Sequence, residues 1–412
     1  MRVAPETLGL YVHVPFCRAR CRYCDFNSYD EISYFVPAYL SALEGETRLW
    51  SPLLTTYSFS TVYIGGGTPT ILNSQQLTRL VQVLRESFNV SQEVEITVEA
   101  NPESISGPVL HSLNSIGVNR LSIGIQSFID SELKILGRPH TAADALRAYR
   151  TARETGFENV NIDLIYGLPY QTLLDWHNTV GQAVSLHPEH LSLYALTLEP
   201  QTPLAQTIAR GLLPEPDTDL AARMYQLAEG VLADAGYHHY EISNWALTGR
   251  ECRHNVNYWK NGEYIGLGAG AHSHLMSCRF ANVDSPFEYE CRLRQHECNP
   301  PEGLLKEFLV EMPWQALASS GWPVAAFERL DRATVVSDLL MLGLRLTDGI
   351  DMTSLLSHLN RSIELACKDE ISRLTADGLI ENRGQVIKLS ARGRLLSNEV
   401  FVRLLRQLEG IR

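Results

Sequence analysis

Three cysteines fall within eight residues, Cys17, Cys21 and Cys24, in the stretch HVPFCRARCRYCDF. Structural zinc needs four closed ligands, usually offered as two separated pairs. Three thiolates on one short loop fit three corners of a cubane [4Fe–4S] cluster instead. The missing fourth protein ligand would leave one iron open to a small molecule. A zinc site completed by a distant His or Cys, or three unrelated thiols, stays open on spacing alone. The other cysteines, Cys252, Cys278, Cys291, Cys298 and Cys367, are scattered. Without a secretion signal they do not suggest a disulfide framework, and the tight trio reads as metal-binding or redox.

A second group of residues stands where strands would end. Gly65-Gly66-Gly67-Thr68-Pro69 follows an apolar run, and consecutive glycines let a backbone approach a ligand closely. No G-K-[ST] follows, so this is not a phosphate loop, and a tight strand-to-helix turn is the plainer reading. Glu99 ends a third run, Gln126 follows a fourth and Asp163 lies in a fifth. His13 reads as an ordinary strand histidine.

The elements that must carry these residues alternate. Six short apolar, β-rich runs span 9–14, 61–64, 94–98, 119–125, 159–165 and 190–196. Helical periodicity fills the intervals at 33–50, 74–87, 105–116, 141–155 and 171–185. Such alternation implies right-handed βαβ units and a parallel sheet, either open and doubly wound or an incomplete (β/α) barrel. In barrels, ligand-binding groups sit at the C-terminal ends of strands. A long helix over 217–235 ends at Gly236. The stretch 237–294 is rich in His, Tyr, Trp, Gly and Cys and resists assignment. ECNPPEG at 297–303 marks a turn. From about residue 335 come three helices, then a hairpin around Arg383-Gly384 and a last helix, resembling a winged-helix unit. Residues 335–412 hold 11 basic and 10 acidic side chains, too balanced for a nucleic-acid reader.

The whole chain has 412 residues, 45% hydrophobic and 20% charged, with 35 Lys and Arg against 47 Asp and Glu. That is a globular composition, and a formal charge of −12 opposes general nucleic-acid binding. No window offers the roughly 20 apolar residues of a membrane span, and the start lacks the regions of a signal peptide. The expectation is a cytoplasmic protein, possible at a membrane surface only as a peripheral visitor.

The cysteine spacing resembles the signature of the radical S-adenosylmethionine (SAM) superfamily, and YVHVPFCRARCRYCDF resembles its coproporphyrinogen-oxidase-like branch. The likeness continues in GGGTPT at 65–70, EANPES at 99–104, GIQSF at 124–128, LGRPHT at 136–141, NIDLIYGLP at 161–169, HNVNYW at 254–259 and GLGAGAHS at 266–273. It implies an α/β fold, a partial six-unit (β/α) barrel over 1–235, an extension over 236–334 carrying HNVNYW, and a small, mostly helical, winged-helix-like domain over 335–412. It also implies a [4Fe–4S] cluster on Cys17, Cys21 and Cys24, with SAM chelating the open iron and cleaved by one electron to a 5′-deoxyadenosyl radical. Tyr11, Tyr23, Gly66, Gly67, Thr68, Glu99, Gln126, Arg138 and Asp163 would line the SAM site, with a backbone contact from Ala195. Arg138 suits a carboxylate, and Glu99 or Asp163 suits hydroxyl or amino groups.

Two activities compete within that branch: oxygen-independent coproporphyrinogen III oxidase, and a heme chaperone that hands heme to target proteins. The oxidase pattern carries a further cysteine two places after the third, where this chain has Phe26. The oxidase also has a long N-terminal extension, whereas 16 residues precede Cys17. HNVNYW matches an H-N-x-x-Y-W motif associated with heme in the chaperone group. His254 is then the candidate axial ligand, because imidazole commonly ligates heme iron, with Tyr258 and Trp259 as the wall. Cys252, His272 and His274 are alternatives, and a core histidine is the plainer reading of His254. A radical SAM methyltransferase would need a further cysteine or cluster motif that the scattered cysteines do not show. The expected partners are heme, heme-accepting proteins such as membrane-associated respiratory ones, and an electron donor.

Overall fold

A computed structural model describes residues 7–294, 322–356 and 361–408. The ECNPPEG turn and Cys298 lie outside these residues. Six parallel strands run β1 (Thr7–Val14), β2 (Ser58–Gly66), β3 (Val90–Ala100), β4 (Arg120–Gln126), β5 (Val160–Tyr166) and β6 (His190–Ala195). They lie side by side in chain order. A doubly wound sheet reverses its strand order at a switch point. The unbroken order here defines the other option, a singly wound partial barrel with the crossover helices on one face.

Residue parity along these strands explains why the sheet curves around a polar space. Leu10 and Val12, Val62 and Ile64, Ile96 and Val98, Leu121 and Ile123, Ile162 and Leu164, and Leu191 and Leu193 are all buried, against the helices. The alternate positions carry Tyr11, Tyr63, Glu95, Glu99, Arg120, Ser122, Asn161, Asp163, His190 and Ser192. A filled (β/α)8 barrel puts bulky branched residues there. Here hydrogen bonds knit the row together, among them Ser122 to Asp163 at 3.0 Å, Asn161 to Ser122 at 2.7 Å and His190 with Asn161 at 2.6 Å. A polar inner row leaves room for a ligand instead of a core. The helices outside are fixed at their starts by capping boxes, Asn73 with Gln76, Thr141 with Asp144 and Thr172 with Asp175, which satisfy N–H groups that would otherwise lack partners.

The stretch that sequence left unassigned lengthens the sheet at both edges. β7 (His238–Glu241) and β8 (Asn244–Ala246) continue it antiparallel beyond β6. On the other side β9 (Tyr264–Leu267) runs parallel to β1, followed by β10 (His272–Leu275), β11 (Cys278–Asn282) and β12 (Val324–Arg329). The helix Arg253–Trp259 lies between these two additions in the chain and packs against β2.

The C-terminal unit has its own hydrophobic core, including Val336, Leu340, Ile371, Leu374, Val400 and Leu404. It is mostly helical, with β13 (Ile350–Asp351), β14 (Ile380–Arg383) and β15 (Val386–Leu389) in a small antiparallel sheet. The expected hairpin around Arg383-Gly384 is the β14–β15 pair. The unit is tied to the edge at β7 by backbone bonds from Ile242 to Arg345 and from Thr347 to Tyr240, each 3.1 Å, and by an Arg394–Glu229 pair at 2.6 Å. No helix among the described residues is long and apolar enough to cross a membrane.

Candidate functional site

The cysteine loop leaves the C-terminal end of β1 and is held by its backbone. Cys17 N–H donates to the Tyr29 carbonyl at 2.8 Å, Arg22 N–H to Leu136 at 3.0 Å, and Leu204 N–H back to Arg22 at 2.9 Å. His13 is buried, with Nδ1 against the Tyr11 hydroxyl at 2.9 Å and Nε2 against the Asn27 carbonyl at 2.8 Å. It clamps the loop to the strand, which is the structural role the sequence suggested.

Cys17, Cys21 and Cys24 are half-buried and unpaired. A chain of side chains links two of them. Thr68 Oγ1 donates to Cys17 Sγ at 3.6 Å and accepts from Asn101 Nδ2 at 2.8 Å. Asn101 Oδ1 accepts from Arg138 Nη2 at 2.6 Å, and Arg138 Nη1 donates to Cys21 Sγ at 3.2 Å. Burial pushes the Cys17 and Cys24 thiols above their ordinary range, so metal binding there must release protons. Donors aimed at sulfur suit thiolates that carry charge in a cluster. Among the described residues no group of three or more His, Cys, Asp or Glu side chains is already arranged around a single ion.

Beside the loop a cavity of about 510 Å³ opens at the strand ends. Of the residues expected at a SAM site, Tyr23, Gly66, Gly67, Glu99, Gln126, Arg138, Asp163 and Ala195 line it, together with Cys21 and Cys24. Tyr11, Thr68 and Cys17 do not. Tyr11 faces His13 and stacks on Tyr63, and Thr68 is buried behind the loop on Cys17. Sequence reasoning missed Tyr63, Asn101, Ser122 and Tyr194, which also line the cavity. Apart from Asn101, they have the same strand parity as Glu99 and Asp163.

Three details define what the cavity can hold. Glu99 Oε1 accepts from the Tyr63 hydroxyl at 2.7 Å and Oε2 from Gly66 N–H at 3.1 Å, while burial pushes its carboxyl up to about 7. Burial also raises Asp163, opposed by Ser192, Asn161 and Ser122. Arg138 does not stand free for a carboxylate: its Nη atoms also hold the Gly124 carbonyl at 2.6 Å. Its Nε is buried without a partner. Gln126 sits at φ 69°, a left-handed conformation that costs a non-glycine residue about 1 kcal/mol or more and marks functional turns. Acceptors for hydroxyl or amino groups, an unpaired cationic N–H and the Cys21 and Cys24 thiols at the rim fit a nucleoside–amino acid ligand beside a metal cluster.

The heme candidates are placed differently. His254 is 1% exposed. Its Nδ1 bonds Thr61 Oγ1 at 2.8 Å and its Nε2 bonds the Tyr258 hydroxyl at 2.8 Å. With both nitrogens bonded and almost no solvent access, it is packed as a core histidine in this structure. Tyr258 serves His254. Trp259 faces the C-terminal unit, with the Arg345 guanidinium 5.1 Å from its ring centre. Cys252 and His274 are buried as well, and His272 alone among these candidates is exposed.

This geometry, a polar partial barrel with three cysteines on the β1 loop, is the architecture of radical SAM proteins. The family model "Radical SAM superfamily" matches residues 11–183, and "HemN C-terminal domain" matches 330–396. The chain belongs to the radical SAM superfamily and, within it, to the HemW family. It is 36% identical to the heme chaperone HemW of Bacillus subtilis, over 97% of this chain and 99% of that one. It is 34% identical to the mitochondrial radical S-adenosyl methionine domain-containing protein 1 of mouse, over 98% and 89%. The solved coproporphyrinogen III oxidase (HemN) of Escherichia coli, a radical SAM enzyme, superposes with a TM-score of 0.79 at 26% identity, covering 98% of this chain and 91% of its own.

One substitution separates loop support from ligand contact. A Cβ at Gly67 would stand 2.6 Å from the Phe16 carbonyl oxygen, at the base of the cysteine loop. Because that neighbour is backbone, Gly67→Val must shift the loop itself, at an overpacking cost of about 1–3 kcal/mol. We expect lower iron content after anaerobic reconstitution as well as weaker SAM binding. Normal iron content would show that the loop does not depend on this close approach.

Proposed function

We propose that this chain is a heme chaperone that binds heme and passes it to acceptor proteins, with a [4Fe–4S] cluster on Cys17, Cys21 and Cys24 and SAM in the barrel mouth. The observation that carries the reading is the end-to-end likeness to HemW chaperones at 34–36% identity, against 26% for the oxidase of the same architecture. Phe26 supports it. It stands where the oxidase pattern has a cysteine, and it is 65% exposed beside the cavity, an apolar ring at a mouth that must receive a partner. When bound, the cluster would supply the electron that cleaves SAM. The chain's own contribution is orientation and the exclusion of water. An electron donor and the heme acceptors are the partners this requires. A cytoplasmic protein that meets membrane-bound acceptors at the surface fits a chain with no spanning helix among its described residues.

For heme iron we propose His272 as the axial ligand. It is the exposed candidate, on β10 between β9 and β11. Anaerobically reconstituted protein should take up heme and show no turnover of coproporphyrinogen III. His272→Ala should change the optical spectrum of bound heme, because an imidazole is a strong axial ligand, and His254→Ala should leave that spectrum unchanged. Multiple turnovers of coproporphyrinogen without heme uptake would replace the chaperone by the oxidase.

A further inference from the structure

HNVNYW lies beneath the SAM cavity, inside the barrel. Glu95, on β3 two same-face positions before Glu99, accepts from the backbone N–H groups of Arg253 and His254 at 3.1 and 3.2 Å. That carboxylate pins the start of the helix Arg253–Trp259 to the sheet. Opposite, β1 offers Gly9, where a Cβ would lie 3.1 Å from His254 Cε1, so any side chain there would crowd the imidazole. The ring is then fixed between Thr61 and Tyr258, and its face lies against Tyr63 with centroids 5.2 Å apart and planes 26° apart.

Tyr63 connects floor to mouth. Its ring is held between His254 below and Tyr11 at 6.3 Å, and its hydroxyl reaches Glu99 at 2.7 Å. Tyr63 thus packs on the imidazole while its O–H donates to Glu99. Burial and the nearby Arg120 charge push the His254 imidazole down to about 3. The ring is therefore neutral at any working pH and acts as a fixed stacking surface.

We propose that His254 is a positioning residue for the SAM site: it sets the Tyr63 ring, and Tyr63 sets the Glu99 carboxylate. The inference rests on the reading of the mouth as a SAM site and is independent of the heme reading. It gives the HNVNYW segment a task that needs no contact with heme.

The test uses full-length, cluster-loaded protein without heme, with SAM affinity read by equilibrium dialysis and folding by the thermal midpoint. Tyr63→Phe keeps the ring and removes the O–H. It should weaken SAM binding about tenfold, the scale of one hydrogen bond to a charged group. His254→Ala should weaken it by a similar factor. The double variant should be no worse than either single one, because both act on the same contact. A merely structural loss would add to the Tyr63→Phe effect instead. Should His254→Ala not fold, Thr61→Val and Tyr258→Phe each remove one bond to the imidazole at nearly constant volume. Each should weaken SAM a few-fold, and the loss should vanish in the Tyr63→Phe background. Additive effects, or unchanged SAM affinity in folded His254→Ala, would overturn the proposal alone. Failure of the wild-type protein to bind SAM would overturn it together with the SAM site.

Discussion

Serine at Cys17, Cys21 and Cys24 together is expected to give a folded protein with no bound iron or sulfide and no measurable SAM affinity. Iron in such clusters is held by thiolates. A serine hydroxyl neither deprotonates in the accessible pH range nor offers a soft donor. The fold should survive because the loop is anchored by groups other than sulfur. Backbone bonds tie Cys17 to Tyr29 and Arg22 to Leu136, and Asn27 Nδ2 donates to the Asp284 and Ala269 carbonyls at 2.9 and 3.2 Å. None of the three thiols belongs to the hydrophobic core. The thermal midpoint of the metal-free protein should therefore shift little, while iron and sulfide content fall to background. SAM binding should fall by a factor of about a thousand or more, since metal chelation contributes several kcal/mol. Full iron and sulfide content in the triple variant would remove the cluster assignment and the SAM site that depends on it.

What could be read from the chain, and what could not, follows the range of the interactions. All six strands of the partial barrel and five helices between them were legible, because each βα unit is specified within about thirty residues by its own pattern and turn chemistry; the short helix Asp130–Leu136 was not. The residues near the strand ends were legible for the same reason, since Glu99 and Gln126 stand at the ends of runs that identify themselves and Asp163 lies within another. Tyr63 and Ser122 were missed although their parity marks them: Tyr63 is two residues before Gly65, and Ser122 two before Gly124, on the same face of each strand. The six added strands at the sheet edges have as few as three residues, and β12 pairs with β11 across more than forty residues of chain. Nothing local encodes such pairing.

HNVNYW shows a different limit. The hexapeptide names residue types but not the direction they face. Its histidine suits heme iron if exposed and a core network if buried, and the deciding residues are Thr61 and Glu95, 193 and 159 positions away. The polar inner row was the available signal. Thr61, Tyr63 and Glu95 on one face of two neighbouring strands need partners, and a buried His-bearing helix supplies them.

Glu99→Gln should act in opposite directions on stability and on binding, and the two can be separated by pH. Burial raises the Glu99 carboxyl from 4.5 to about 7. Between those values the folded protein keeps a proton that the unfolded chain releases. Stability from this group is therefore present at pH 4.5 and lost as pH rises to 7. A neutral amide escapes that loss. Glu99→Gln should raise the thermal midpoint at pH 8, by the equivalent of up to about 3 kcal/mol, and should match the wild type near pH 4.5. For binding the sign is reversed. A SAM hydroxyl or amino group donates to the ionised carboxylate, so wild-type affinity should be highest above pH 7 and fall about tenfold by pH 6. Glu99→Gln should be weaker at pH 8 and flat across the same range. Tyr63 and Gly66 N–H would still bracket the side chain, so a general collapse of the pocket would not explain a profile that loses only its slope. A wild-type affinity that does not change between pH 6 and 8 would mean that Glu99 does not meet the ligand in its charged form.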